Sequence, residues 1–150
     1  MSLPSYSAYQ QKKNLLEARL QFHVQQLMGC HNDKTPKIYG KYSVENKSNF
    51  QGGIEFESEI EIKQTRSSLN IVETLRDGVC ESVTASLHQS TSNGKWFLYY
   101  TYLTHPKNAE DDMHYGTSIL CIHNRDRLEG SYFTNRTNQT KGSQIMIRKK

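Results

Sequence analysis

Several side chains suited to holding an anion with flat rings lie close together near the C-terminus. Tyr132, Thr134 and Arg136 are spaced two residues apart, and Thr140 follows after a short polar stretch. A guanidinium can bond two phosphate oxygens at once, hydroxyls donate further hydrogen bonds, and an aromatic ring can stack on a base. The simpler roles are core packing for Tyr132 and a solvated loop charge for Arg136.

A second aromatic group lies on the segment Trp96 to Leu103. Trp96, Tyr100 and Tyr102 share one face of a strand there, and Phe97 and Tyr99 share the other. Because both faces are apolar, the alternation leaves open which of them points inward. If the face with Phe97 is the inward one, the rings available for stacking are different.

These residues must be positioned by strands, since apolar side chains recur with a period of two from Ile38 onward. The sequence predicts eight strands, at residues 38–42, 54–62, 68–74, 79–88, 96–103, 114–123, 127–135 and 143–148. Short strands separated by turn signals are typical of an antiparallel up-and-down barrel, which leaves no open edge. The predicted fold is therefore mostly β, a lipocalin-like eight-stranded barrel wide enough for one small ligand.

The second strand carries four glutamates, at positions 55, 57, 59 and 61, in alternation with apolar residues. Such a face suits either carboxylate chemistry or simple solvation on the outside of a sheet. Charged outer faces discourage edge aggregation, and we expect that role.

One helix is predicted before the barrel, from Ser5 to Met28, where Leu16, Leu20, Val24 and Leu27 share a face. We expect an N-terminal amphipathic unit at residues 1–30 and a ligand-binding barrel at residues 37–150. The helix either packs on the exterior or end of the barrel, or uses a second, thinner apolar stripe to contact another copy of the protein.

The composition narrows the function classes. The chain has 150 residues and a formal net charge of +4, and acidic runs interrupt its basic residues. This balance favours a compact anion over a DNA or RNA polymer. Three cysteines without paired CxxC spacing predict no metal site and no disulfide framework, and no spaced catalytic constellation indicates an enzyme.

Three motifs in order resemble one known family. They are Tyr100-x-Tyr102-x-x-x-Pro106, His114-Tyr115-Gly116-Thr117, and Gly130-x-Tyr132-Phe133-Thr134-x-Arg136 followed by Thr140-x-Gly142. From residue 37 to the end the chain is similar to the cyclic-dinucleotide receptor barrel of the SMODS-associated, two-transmembrane, β-strand-rich effectors of CBASS antiphage defence. The resemblance implies a receptor rather than an enzyme. A CD-NTase makes the cyclic nucleotide, the effector forms a homo-oligomer, and attached membrane helices disrupt the inner membrane.

The sequence departs from that family in one respect. The family normally has two transmembrane helices before the barrel, whereas this sequence has no long apolar run. We therefore expect a soluble cytoplasmic domain, which would be associated with the inner membrane if the chain is a fragment of a longer effector. If the protein never had such helices, membrane disruption is in doubt and ligand binding is not.

The resemblance also suggests a role for each candidate site residue. Arg136 is expected to hold phosphate, with hydroxyls from Thr134 and Thr140 beside it. The remaining aromatic candidates are expected to stack bases or to close the pocket, and they are Tyr42, Trp96, Tyr100, Tyr102 and Tyr132. The expected ligand is a cyclic dinucleotide, with no other cofactor.

Two other functions fit the same barrel. A lipocalin-like carrier of a small apolar ligand would have an apolar interior and no need of Arg136. A pure assembly module would use the N-terminal helix and the two-faced strand Trp96 to Leu103 for contacts between copies.

Overall fold

The computed structural model describes residues 14, 17, 34–136 and 139–150. The chain divides into two compact units, Met1–Thr35 and Pro36–Lys150. In the first, Asn14 and Glu17 have helical backbone, and the rest of the predicted N-terminal helix lies outside the described residues, so the 1–30 unit stays a prediction. No helix in the described ranges is long and apolar enough to cross a membrane.

The second unit is a closed antiparallel barrel, which confirms the predicted fold class. Each strand pairs with the next, and the last pairs with the first. The strands are β1 (Gly40–Ser48), β2 (Ile54–Gln64), β3 (Leu69–Leu75), β4 (Gly78–Gln89), β5 (Trp96–Pro106), β6 (His114–Asn124), β7 (Arg127–Thr134) and β8 (Lys141–Arg148).

Alternation decides which side chains enter the barrel. On β2, Ile60 and Ile62 are buried, whereas Glu55, Glu57 and Glu59 are exposed on the outer face. On β5, Leu98, Tyr100, Tyr102 and Thr104 are buried. The inward face of β5 is therefore the one that carries Tyr100 and Tyr102, which the sequence pattern had left open.

The interior has an apolar half and a polar half. The first half is filled by side chains near the start of β1 and the end of β8, among them Tyr42, Val44, Ile62, Leu128 and Met146. We call this the apolar end. Toward the opposite rim the inward side chains are mostly polar: Asn46, Ser48, Ser58, Glu73, Thr104, Ser118 and Gln144. We call that rim the cavity end. The chain both enters the barrel at β1 and leaves it after β8 at the apolar end.

The structure corrects the predicted first strand. The sequence pattern predicted a strand at 38–42 and a turn over 46–53, but β1 continues through Ser48. Its last inward residues, Asn46 and Ser48, are polar and buried, so the apolar alternation that marks a strand disappears before the strand ends. The connection to β2 contains a short 3-10 turn at Phe50–Gly52, with Gln51 at a positive φ of 50°.

Candidate ligand-binding site

A cavity of about 650 Å³ opens at the cavity end of the barrel. This volume lies within the range of about 300 to 1,000 Å³ that is usual for small-molecule sites. Five of the eight predicted site residues line it, and they are Tyr102, Tyr132, Thr134, Arg136 and Thr140. The barrel therefore brings most of the predicted site together.

Arg136 is held by two contacts at the mouth of the cavity. Its guanidinium carbon lies 4.8 Å from the centre of the Phe50 ring, which is a cation–π arrangement. Its Nε donates to Nδ1 of His114 over 3.4 Å. In the described part of the chain this is the one hydrogen bond made by the guanidinium, so its two terminal amino groups remain for a ligand. Two parallel N–H groups match two oxygens of a phosphate.

His114 is suited to accept that hydrogen bond because it favours the neutral form. Burial lowers the pKa of His114, and the positive charge of Arg136 lowers it further, although a hydrogen bond with the backbone of Asp112 opposes both effects. The Nδ1 atom lies 3.3 Å from the carbonyl oxygen of Asp112 as well. One nitrogen cannot both donate and accept, so Nδ1 accepts from Arg136 when it is unprotonated and donates to the carbonyl of Asp112 when it is protonated.

Thr134 and Thr140 lie on either side of the β7–β8 connection. The backbone N–H of Thr134 donates to the carbonyl of Thr140 over 2.8 Å, and the two hydroxyls are hydrogen-bonded to each other. Both residues line the cavity beside Arg136. The hairpin thus presents two hydroxyls and a guanidinium from one short segment, as the sequence spacing predicted.

Tyr102 and Tyr132 extend into the cavity end because glycines lie opposite them. Tyr102 pairs with Gly116 across β5 and β6, and Tyr132 pairs with Gly142 across β7 and β8. A Cβ atom added to either glycine would collide with the ring of the paired tyrosine. Glycines that let aromatic rings lie over the backbone are a recurrent feature of sheets. This geometry explains why the Tyr-rich and Gly-containing motifs occur together in the sequence.

The structure does not bring the other three predicted residues into the cavity. Trp96 is at the apolar end, where it pairs with Gln89 and Ile122. Tyr42 is fully buried at the same end, and its hydroxyl lies 2.8 Å from the carbonyl oxygen of Ile38 and 3.0 Å from that of Arg125, so these two acceptors share its one proton.

The expectation that Tyr42 closes the pocket does not match this position, because the pairing of β1 with β8 fixes neighbours across the strands and not depth along them. Tyr100 is the next inward-facing residue of β5 toward the apolar end, and its hydroxyl lies 3.5 Å from Oε1 of Gln144.

Several residues of the cavity were missed by the sequence reasoning, and three of them bear on ligand binding. Glu73, Asn46 and Phe50 all line it. A signal existed for the first two, because each is a polar residue in phase with buried apolar ones: Glu73 follows Ile71, and Asn46 follows Val44. No periodic signal marks Phe50, which lies in an irregular turn.

The charges around the cavity are mixed. Four carboxylates line it as well, Glu55, Glu57, Asp77 and Asp111, and all four are exposed. Exposed charges are screened over about 8 Å at physiological salt, and exposed ion pairs contribute little. They reduce the attraction for a long polyanion at a distance, but they do not prevent close contact between the half-buried Arg136 and a compact anion.

The inward thiol of Cys80 does not offer a nucleophile. It lies 3.2 Å from the hydroxyl of Thr104. Burial, together with the nearby carboxyl of Glu73, raises the pKa of Cys80 to about 12. Because the thiolate is the reactive form and this thiol stays protonated at neutral pH, Cys80 lines the cavity as a small, unreactive side chain.

The comparison with known families agrees with this geometry. The model of the family described as Cap15, cyclic dinucleotide receptor domain, matches residues 33–149. That range includes the whole barrel and every residue of the cavity. No curated protein matches the chain. The chain belongs to the Cap15 cyclic dinucleotide receptor domain family.

Proposed function

We propose that this barrel binds a cyclic dinucleotide in the cavity at its polar end and acts as the sensing domain of a CBASS antiphage effector. Arg136 holds a phosphate, Thr134 and Thr140 donate hydroxyls to it, and Tyr102 and Tyr132 contact the bases. The observation that carries the proposal is the placement of a guanidinium, whose terminal amino groups form no hydrogen bond with the described residues, beside aromatic side chains at the mouth of the cavity.

The polar half of the interior supports this ligand over the apolar one of a lipocalin-like carrier. A buried carboxyl, Glu73, and two buried amides, Asn46 and Gln144, line the cavity, and an apolar ligand would offer them no hydrogen bonds. Burying a polar group against hydrocarbon without a hydrogen bond costs about 4 to 8 kcal/mol on hydrocarbon transfer scales. A nucleotide supplies hydrogen-bonding partners for them.

Removal of Arg136 tests the proposal directly. We expect Arg136→Ala to weaken binding of cyclic dinucleotides by about 100-fold, since it deletes charge-assisted hydrogen bonds to phosphate. Arg136→Lys should recover part of the loss, because an ammonium keeps the charge and loses the planar fork. Calorimetry against a panel of cyclic di- and trinucleotides measures this, with Arg66→Ala as the control, an exposed arginine at the apolar end. Absence of heat with every nucleotide would contradict the proposal.

We also propose that the barrel releases its ligand unchanged, as a receptor does. The high pKa of Cys80 supports this, because the thiol of the cavity is protonated at neutral pH. Chromatography of a cyclic dinucleotide incubated with the protein should recover it intact. Linearised product would indicate an enzyme.

Ligand binding is proposed to drive homo-oligomerisation in response to a messenger made by a CD-NTase, and membrane helices attached to the barrel would then disrupt the inner membrane. Support comes from Tyr115 and Phe133, which are each 50% exposed on the outer face. They line an outer groove that shares Thr134 and Thr140 with the cavity. Light scattering should show a larger species with ligand, and Phe133→Ser should prevent it while leaving binding intact. A particle of unchanged mass at saturating ligand would argue against this step.

A further inference from the structure

A buried acidic side chain, Glu73, lies in the polar half of the barrel interior and lines the cavity. Glu73 is 5% exposed, and its Oε1 accepts a hydrogen bond of 2.5 Å from the hydroxyl of Ser58. The same hydroxyl accepts from Nδ2 of Asn46 over 2.9 Å. No basic side chain among the described residues forms a salt bridge with Glu73, so its charge is not neutralised within that part of the chain.

This arrangement lowers the stability of the barrel. Burial raises the pKa of Glu73, and hydrogen bonds involving Ser58, Asn46 and Gln144 oppose that rise. In addition, Oδ1 of Asn46 is buried and has no hydrogen-bond partner among the residues that the structure describes. Each unsatisfied buried acceptor lowers stability. The carboxyl of Glu73, which no described cation neutralises, and the unpartnered Oδ1 of Asn46 therefore offer two acceptors on one cavity wall to a ligand that brings donors.

We infer that Glu73 and Asn46 read the Watson–Crick edge of a guanine, so that the preferred ligand is a cyclic dinucleotide containing at least one guanine; this rests on the proposed function. Guanine carries neighbouring donors, N1–H and the N2 amino group, and a carboxylate accepts from both. The second amino hydrogen can reach Oδ1 of Asn46. Adenine and cytosine place one amino donor beside a ring acceptor, and uracil places one N–H between two carbonyls. Of these four bases, guanine alone matches two adjacent acceptors.

The position of the tyrosines agrees with a base lying between the acid and the phosphate site. Burial raises the pKa of the Tyr102 phenol. The carboxyl of Glu73 raises this pKa further, whereas the guanidinium of Arg136 lowers it. The same three causes apply to Tyr132. Both tyrosines also line the same cavity as Glu73 and Arg136. A nucleotide spanning these two charges passes alongside both rings.

The test compares bases on the unaltered protein first. Calorimetry with cyclic di-GMP, cyclic GMP–AMP, cyclic di-AMP, cyclic di-UMP and cyclic di-IMP should show the guanine ligands binding about 10- to 100-fold tighter than those without guanine. Cyclic di-IMP, which lacks the N2 amino group, should fall between the two sets. Equal affinity for the guanine, inosine and adenine ligands overturns the inference.

Glu73→Gln gives the second arm. A glutamine presents an NH₂ where the carboxylate had an acceptor, so guanine ligands should lose about 10- to 100-fold in affinity. Cyclic di-AMP should lose no affinity, because the donor and acceptor of a glutamine amide match the amino group and the ring acceptor of adenine. Glu45→Gln makes the same charge change on the exposed outer face of β1 and should leave every affinity unchanged.

The pattern of failure separates the two proposals. If Glu73→Gln weakens the binding of all ligands equally, Glu73 does not read the base. If Arg136→Ala still weakens binding in that case, the proposed receptor function stands. If no cyclic dinucleotide binds the unaltered protein, both proposals are wrong.

Discussion

At the scale of single residues, the orientation of Arg136 depends on groups outside its own hairpin. The ring of Phe50 lies under the guanidinium, and His114 accepts from its Nε. An arginine fixed in this way loses less side-chain entropy when it binds phosphate than a free one does. Phe50 is therefore a positioning residue for the phosphate site.

Substitution of Phe50 should reveal this role. Phe50→Ala is expected to weaken cyclic-dinucleotide binding by about 3- to 30-fold, the range of a cation–π contact, and Phe50→Trp should restore it. The loss should vanish in an Arg136→Ala background, because the ring then has nothing to orient. Titration calorimetry on the four proteins measures the coupling. Equal losses with and without Arg136 would show that Phe50 acts elsewhere.

At the scale of the strands, the cavity is widened by the pairing of a tyrosine on one strand with a glycine on the next. Gly116 makes room for the ring of Tyr102, and Gly142 does so for Tyr132. The glycines belong to β6 and β8, whereas the tyrosines belong to β5 and β7. The register of the barrel thus sets the direction of the aromatic rings.

Gly116→Ala should cost about 1 to 3 kcal/mol of unfolding free energy, because the new methyl group overlaps the buried ring of Tyr102. In a Tyr102→Ala background the same substitution should cost much less, since the overlapping atoms are gone. Urea denaturation of the single and double variants gives the coupling energy. Additive costs in the two backgrounds would mean that Gly116 is required for another reason.

Most of the strands and part of the candidate site can be predicted from the sequence, and the remainder cannot be predicted for physical reasons. The eight strands can be predicted because apolar residues alternate along them. The site residues of the β7–β8 hairpin can be predicted because Tyr132 and Thr134 share one face of β7 and Arg136 follows two residues after its end. The end of β1 is hidden, because Asn46 and Ser48 are polar residues that face a polar interior. The placement of Trp96 and Tyr42 is hidden too, since the periodicity reports the face of a strand but not the depth along the barrel axis.

At the scale of the whole molecule, the barrel concentrates its apolar contacts in one half and its polar groups in the other. Ile60, Leu98 and Leu120 are almost completely buried in the apolar half and supply packing. The polar half holds Glu73 at a cost in stability. The molecule thus keeps a destabilising group next to a well-packed support, a division common at binding sites.

This division predicts how stability depends on pH. Burial raises the pKa of Glu73 above its ordinary value of 4.5, so between the unfolded and folded pKa values this side chain binds more protons in the folded state than in the unfolded chain. The free energy of unfolding contributed by Glu73 therefore falls as the pH rises above 4.5, and it is lowest once the pH exceeds the pKa in the folded state. Relative to Glu73→Gln, the unaltered protein should lose stability between pH 4.5 and neutrality. Thermal unfolding of both proteins across this range measures the difference, and parallel curves would refute it.

Both strand ends that connect to the rest of the chain, the start of β1 and the end of β8, lie at the apolar end. A handle attached after Lys150, whether a fluorescent protein or a link to a sensor chip, is therefore tethered about one barrel length from the opening. Such a fusion leaves the entrance unobstructed, so the barrel can be immobilised by its tail while nucleotides are passed over it.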